Sequence, residues 1–446
     1  MIALAPQAVL TAGTLGALSL GLMRRPSALG LRVLAVSSIV AAMLSVATGS
    51  VHELSSVIVM NDPKSLGWHY VICLGALPLA FFLDGSDDVM TALFLGATLG
   101  MSLLCVAANL PMLFISLEFM SLPAYLLVAR SRPGSRSLEA AIKYFFAGGV
   151  AGALFMLGLA LYYADTRSLA FSGSLSALGQ GGAALMAAAA LFKLGAFPLH
   201  WWLPDVYEAA APEVSGFLST AMKSAAVLFL MRLCEMAPTA SVADFLPGVG
   251  ALTAVVGSVM ALRQERLQRL LAYSSIAHAG FLLLGVGAWA RAGRSGEGAS
   301  ALLFYLGVYA LMSNGTFGFI KHAGAQTRAQ LKGLGVSMPA AAAALTALLV
   351  SLAGIPPTGG FFAKLLIFWR AVDAGLLGPA ALAATAALIS MGYYLGMIKD
   401  MWFEEPSGPA PVASEGLGVV IACAAAAVLL GAAPWLLAQA MEVGIK

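Results

Sequence analysis

Gly354-Ile355-Pro356-Pro357-Thr358-Gly359-Gly360-Phe361-Phe362-Ala363-Lys364 is the stretch whose reading decides the fold. The apolar run Ala340 to Val350 precedes it, and Leu365-Leu366-Ile367-Phe368-Trp369 follow. Proline removes a backbone donor and clashes with the preceding turn, and glycine loosens the backbone. The segment therefore reads as an interrupted helix with a lysine just past the interruption. The second half-helix is expected to begin near Thr358, so its free N–H groups and its dipole would oppose the Lys364 cation. An ionisable side chain deep in a bilayer costs at least ~2.5–3.5 kcal/mol, and such residues mark transport paths or buried pairs.

Three further charges pose the same problem. Lys193 lies in Leu191-Phe192-Lys193-Leu194-Gly195-Ala196-Phe197-Pro198, Lys223 in Ser219-Thr220-Ala221-Met222-Lys223-Ser224, and Glu118 in Ile115-Ser116-Leu117-Glu118-Phe119-Met120. The chain around them is 60% hydrophobic and 10% charged over 446 residues, against about 25% charged in soluble domains. This composition is that of an all-α, polytopic integral membrane protein. A net charge of +3 gives no reason to expect nucleic acid. Cys73, Cys105, Cys234 and Cys423 form no CxxC or Cys/His pair and read as small apolar residues. The dinucleotide, P-loop and iron–sulfur spacings are missing, so redox or nucleotide chemistry is expected in other chains.

Apolar runs long enough to cross a bilayer fall near residues 3–23, 30–49, 67–83, 88–107, 109–129, 138–162, 183–206, 213–233, 245–262, 267–290, 299–322, 339–371, 378–399 and 416–438, about 14 crossings. The first has its basic pair, Arg24-Arg25, behind it rather than ahead, and reads as a retained helix, not a secretory signal. Polar loops are expected at His52 to Lys64 and Asp84 to Asp88. Basic residues cluster after odd-numbered spans (Arg130/Arg132/Arg136, Arg263/Arg266/Arg269, Arg328/Lys332, Lys399), which puts those loops in the cytoplasm. The seventh and twelfth spans are the broken ones, five apart. Irregular backbone at membrane depth must be buried or face a wet cavity, and paired breaks indicate inverted repeats around an ion path. The expected organisation is N-terminal helices over 1–84, a five-helix unit over 85–235, an inverted one over 236–400 and a C-terminal helix over 401–446. The lysines are placed unlike one another: Lys193 precedes its break and Lys364 follows its own.

Each charged residue has a chemical and a bland reading. Glu118 and Lys193 brought together would favour each other's charged form, so moving one charge changes the other's proton affinity; the alternative is a structural salt bridge. Lys223 has no acid in its own helix, and desolvation disfavours its charge; Ser219, Thr220 and Ser224 offer water-holding hydroxyls, and the alternative is snorkelling. His278 and Ser274 are four apart and share a helix face, as in a water wire with an imidazole relay or in simple packing. Lys143, near Tyr144, either joins the Glu118 site or snorkels. Lys321-His322 read as an ordinary basic helix end. His200, Trp201 and Trp202 read as anchors of the first break, and Glu208 and Glu213 as solvated loop charges.

With these residues on the page, the chain resembles the antiporter-like membrane subunits of respiratory complex I, in particular the N-type subunit of NADH–quinone oxidoreductase. The matching segments are Leu117 to Tyr125, Ser137 to Phe145, Phe192 to Glu208, Leu270 to Gly280 and Ser351 to Lys364, across roughly residues 85–400. Pro204-Asp205-Val206-Tyr207-Glu208 and the run Ala272 to Gly280 are N-type features; Gly359-Gly360 departs from the usual pattern. The resemblance implies Glu118 and Lys193 as the buried pair, Lys223 as central relay and Lys364 as terminal lysine. It implies outward proton translocation in a bacterial inner membrane, with other membrane subunits, the lipid bilayer and protons as partners. It implies no cofactor in this chain, with NAD, FMN, iron–sulfur clusters and quinone held by partner subunits. A cation/proton antiporter component, the equivalent subunit of a membrane-bound hydrogenase or deazaflavin-dependent dehydrogenase, and a structural scaffold are the rival readings.

Overall fold

The computed structural model describes residues 4–22, 27–48, 54–55, 59–61, 63–83, 87–170, 175–236, 241–406 and 415–433. Arg24-Arg25, His52 and Asp84 lie outside the described residues. The helices, in chain order, are α1 (Ala5–Leu22), α2 (Ala28–Thr48), α3 (Pro63–Phe82), α4 (Asp88–Cys105), α5 (Leu110–Arg130), α6 (Ser135–Thr166), α7 (Ala177–Leu194), α8 (Trp202–Ala209) and α9 (Pro212–Ser219). They continue as α10 (Ala221–Met236), α11 (Ser241–Ala261), α12 (Leu267–Arg291), α13 (Gly296–Ala323), α14 (Leu334–Ser337), α15 (Pro339–Ala353), α16 (Gly359–Asp373), α17 (Leu377–Phe403) and α18 (Leu417–Ala432). A two-residue antiparallel pairing, Leu54–Ser55 with Met60–Asn61, is the sheet structure among the described residues. Eleven described helical segments, with Pro212–Glu235 across α9 and α10 counted as one, are long and apolar enough to span a membrane, and α15 and α18 are shorter apolar helices.

Ordinary local chemistry sets the helix ends. Asp87 caps α4 by accepting from the Met90 amide, Asn109 caps α5 through Met112, and Ser295 caps α13 through Gly298. Pro339 opens α15, and Gly354 closes it in the left-handed region at φ 80°.

The chain forms two compact units. One contains residues 1–194 and 221–245, the other residues 195–220 and 246–441. In the first, α1 packs on α2 and α4, α4 on α5, α5 on α6, α6 on α7, and α10 on α3, α4 and α7. In the second, α13 is central, touching α9, α12, α15, α16 and α18. Its neighbour α12 is buried around its circumference, from Leu267 to Trp289 apart from Arg269; a helix apolar all round belongs inside a bundle.

Both expected breaks are present, and they share a pattern. Gly195 (φ 70°) ends α7 and Gly354 (φ 80°) ends α15. Three residues later in each case comes a cis proline, Pro198 and Pro357. The freed backbone finds side-chain partners, as it must in an apolar medium. The Phe197 amide donates to Thr253 Oγ1 at 3.1 Å, and the Gly360 amide donates to Ser351 Oγ at 3.1 Å. A third break was not expected: the span at 213–233 divides into α9 and α10 at Thr220 (φ −113°, ψ −77°).

Helices α6 and α7 approach backbone to backbone through glycines. A Cβ on Gly158 would lie 2.5 Å from the Gly182 carbonyl oxygen, and one on Gly182 would lie 2.6 Å from the Gly158 carbonyl. Small residues at such crossings permit close packing in a membrane. Gly158→Val should force the helices apart at a cost of about 1–3 kcal/mol, read as a lowered Tm of the purified protein in detergent. An unchanged Tm would show that this crossing is not tightly packed.

Candidate proton-conducting site

Lys193 occupies the last turn of α7 and is 7% exposed. Its ammonium donates to the Tyr125 hydroxyl of α5 at 2.8 Å. It also lies 4.8 Å from the Tyr125 ring centroid, 5.3 Å from that of Tyr144 and 5.6 Å from that of Phe192. Aromatic faces attract a cation most strongly where water is excluded. Glu118, on α5, is half-buried and beside Gly152 of α6, where a Cβ would meet its Oε1 at 3.2 Å. The ammonium's hydrogen bond goes to Tyr125, not to Glu118. The expected pair thus has a phenol as the direct partner of its lysine.

Lys223 stands in the first turn of α10, three residues past the Thr220 break, and is 1% exposed. Lys364 stands in the second turn of α16, 5% exposed. The N-terminal amides of α16, expected to oppose the Lys364 cation, are not what its ammonium faces. It reaches back and donates to the Leu352 carbonyl at 2.8 Å and the Ala353 carbonyl at 3.1 Å. Those are last-turn acceptors of α15, left without intrahelical donors and at the negative end of that helix's dipole. Gly354 makes the reach possible: a Cβ there would lie 2.9 Å from Lys364 Cδ. Both lysines thus sit at the C-terminal end of a first half-helix, although one precedes its break in sequence and the other follows it.

His278 is the centre of a buried hydroxyl network in the second unit. Its Nδ1 shares a 2.6 Å hydrogen bond with the Tyr305 hydroxyl, and its Nε2 lies 3.4 Å from that of Tyr394. Tyr394 in turn shares a 2.5 Å hydrogen bond with Ser274. The imidazole ring is 4.7 Å from the Tyr309 ring and 5.7 Å from Phe281, whose own ring is 5.4 Å from the Lys364 ammonium. The Tyr309 hydroxyl interacts with Ser275, Ser313 and Ser219. Buried hydroxyls and an imidazole in mutual contact are able to pass a proton by exchanging donor and acceptor roles.

Other residues fall differently. Lys143 pairs with Glu139 one turn away at 2.7 Å, with 47% of its side chain exposed. Trp201 is 56% exposed and Trp202 is buried; His200 stacks near Phe197 at 5.5 Å. Glu208 and Glu213 are not solvated loop charges. Glu208 is 8% exposed and pairs with Arg266 at 3.2 Å and Arg269 at 3.0 Å, and Arg269 also binds Asp205 at 2.7 Å. Glu213 is 14% exposed and pairs with Lys321 at 2.7 Å. These partners lie far apart in sequence, so no local pattern signals them. Tyr305, Tyr309 and Ser313 recur every four residues on α13, and that spacing was readable.

The transmembrane family described as NADH:quinone oxidoreductase/Mrp antiporter matches residues 107–390. The chain belongs to this family. A protein of Xanthomonas euvesicatoria named NADH-quinone oxidoreductase subunit N is 36% identical over 86% of this chain and 80% of its own length. A Rhizobium meliloti protein named NADH-quinone oxidoreductase subunit N 1 is 34% identical over 90% and 88%. Among solved structures, a chain of respiratory complex I from Thermus thermophilus with bound aureothin superposes with TM-score 0.88 at 30% identity, over 98% of this chain and all of that one. A chain of the Mrp complex of Dietzia shares the fold at TM-score 0.84, 22% identity and 98% and 96% coverage.

Tyr125→Phe removes the hydroxyl that accepts from the buried Lys193 ammonium. It should lower stability by about 1–3 kcal/mol, the cost of leaving a buried charged donor unpaired, measured by thermal unfolding of the purified protein. An unaltered Tm would mean that the ammonium has another acceptor.

Proposed function

We propose that the buried lysines of this chain carry protons in the membrane arm of an NADH–quinone oxidoreductase, with Glu118, Lys193, Lys223, His278 and Lys364 as the titrating groups. The observation that carries this reading is the kind of partner two of the lysines have. Lys193 is held by a phenol and aromatic faces, and Lys364 by two backbone carbonyls. A lysine locked to a carboxylate leaves an uncompensated buried charge when it loses its proton, at a cost of several kcal/mol. A lysine resting on neutral dipoles leaves none, so both protonation states are tolerated. That is what a carrier requires and a structural salt bridge does not.

Glu118 supplies the modulation. Its half-buried carboxylate acts on Lys193 without capturing it, so a change in the charge facing Glu118 alters the proton affinity of Lys193. His278 with Tyr305 and Tyr394 provides a relay whose members can be donor or acceptor in turn. Lys143, paired with Glu139 on an exposed face, has no part in this scheme. The relatives named subunit N support placing the chain in a proton-translocating complex whose redox chemistry lies elsewhere, with NAD, FMN, iron–sulfur clusters and quinone on partner subunits. The bacterial inner membrane, with the arginine-rich loops in the cytoplasm, is the matching location. The two inverted five-helix units over 85–235 and 236–400 are the matching organisation, supported by the shared spacing of a positive-φ glycine and a proline three residues later at the two breaks.

Lys223→Ala should leave the complex assembled and lower its proton pumping roughly tenfold or more, followed by dye quenching in proteoliposomes energised with NADH and quinone. Parental pumping in an assembled Lys223→Ala complex would remove Lys223 from the relay.

A further inference from the structure

A second feature of the α9–α13 pair is unused by the lysine scheme. The two helices touch along a seam that is polar at both ends, with Phe317 packed against Gly216 between them. At the arginine-rich end, the Lys321 ammonium donates to Glu213 Oε1 at 2.7 Å, while Glu213 Oε2 is buried with no hydrogen-bond partner. One turn further along α9, Gly216 carries no side chain, and a Cβ there would lie 2.8 Å from Asn314 Oδ1. One turn beyond that, Asn314 Nδ2 donates to Thr220 Oγ1 at 3.2 Å, and Ser219 shares a 2.7 Å hydrogen bond with Ser313. The steps are about one helical turn, roughly 5 Å, which a bridging water spans. The inner end of the seam meets the Tyr309 hydroxyl and hence the His278 network.

We propose that this seam is a proton inlet from the arginine-rich face, with Glu213 as its entry group and Lys321 as the residue that positions and gates it. The ordinary alternative is that Glu213–Lys321 merely fastens two helices. Two details favour an inlet. A fastening pair needs both carboxylate oxygens satisfied, yet one is left open and buried. Behind the pair, past Gly216 and the Phe317 packed against it, the seam carries hydroxyl and amide groups at Ser219, Thr220, Ser313 and Asn314, whereas tight apolar packing would fasten the helices better. When Lys321 holds the carboxylate, Glu213 is ionised and the entrance is closed by the ion pair. When Glu213 takes up a proton, its ion pair with Lys321 is broken and the carboxylic acid becomes a donor at the head of the seam that leads to Ser219, Ser313 and Tyr309.

This inference rests on the proton-carrying reading above, and the test separates the two. The parent complex and its E213Q, E213D and K223A variants are reconstituted in proteoliposomes, and NADH-driven proton uptake is measured. The expected result is an assembled E213Q complex pumping at least about threefold more slowly, with E213D regaining more than half of the parental rate. Parental pumping by E213Q overturns the inlet, as does full recovery by the charge-swapped E213K/K321E pair, which is the behaviour of a structural bridge. Parental pumping by K223A overturns the relay instead. Should E213Q fail to assemble, S219C tests the same route: a small hydrophilic methanethiosulfonate added on the arginine-rich side should modify the introduced thiol and slow pumping. The parent, whose four cysteines are buried, serves as the blank. A thiol that stays unreactive overturns the proposal.

Discussion

An ammonium group inside a hydrocarbon slab must find polar partners at its own depth, and in this protein the helix breaks supply or frame them. A continuous helix offers only carbonyls that already accept an intrahelical bond, which are poorer acceptors for an ammonium than those freed at a helix end. Ending α15 at Gly354 frees the Leu352 and Ala353 carbonyls, and Lys364 folds back onto them. Ending α7 at Gly195 puts Lys193 at the same kind of helix terminus, with a tyrosine hydroxyl as direct partner. The cost of buried charge and the cost of broken backbone are thus met together, at the Lys364 site in the same atoms.

The arrangement also gives Lys193 and Lys364 neutral direct partners. Carboxylates in the second unit are engaged with arginines and with Lys321, and Lys364 is left to carbonyls. The imidazole of His278 is surrounded by tyrosines. Partners that are neutral dipoles stabilise a cation without demanding it, which is the basis of the carrier role proposed for these lysines. The chain itself crosses between its two compact units after Leu194 and after Thr220, beside Lys193 and just before Lys223. These two crossings coincide with interruptions of regular helix, whereas a third, after Phe245, lies within α11.

The two proline-containing breaks were legible because Gly and Pro act locally, through φ preference and a missing donor. The break at Thr220 was not, since Ser219-Thr220-Ala221 contains neither. Glu208 and Glu213 were misread for a related reason. Loop-like neighbours suggest solvation, but Arg269 and Lys321 meet them from α12 and α13, and partners over fifty residues away leave no trace in local spacing. The lysine cage of Tyr125 and Tyr144 draws on α5 and α6, so neither tyrosine is marked by its proximity to Lys193 in sequence.

Sequence alone determined that this is a multi-pass helical membrane protein with two broken helices and a set of misplaced charges. Hydrophobic run length, Gly and Pro positions and the price of a buried ion are local properties, written residue by residue. Only the tertiary structure decided where each charge is spent. Lys193 and Lys364 lie on opposite sides of their breaks in sequence, yet both stand at the carbonyl end of a first half-helix. A lysine side chain is long enough to reach back past a glycine that has no Cβ, and that reach is a matter of three-dimensional clearance.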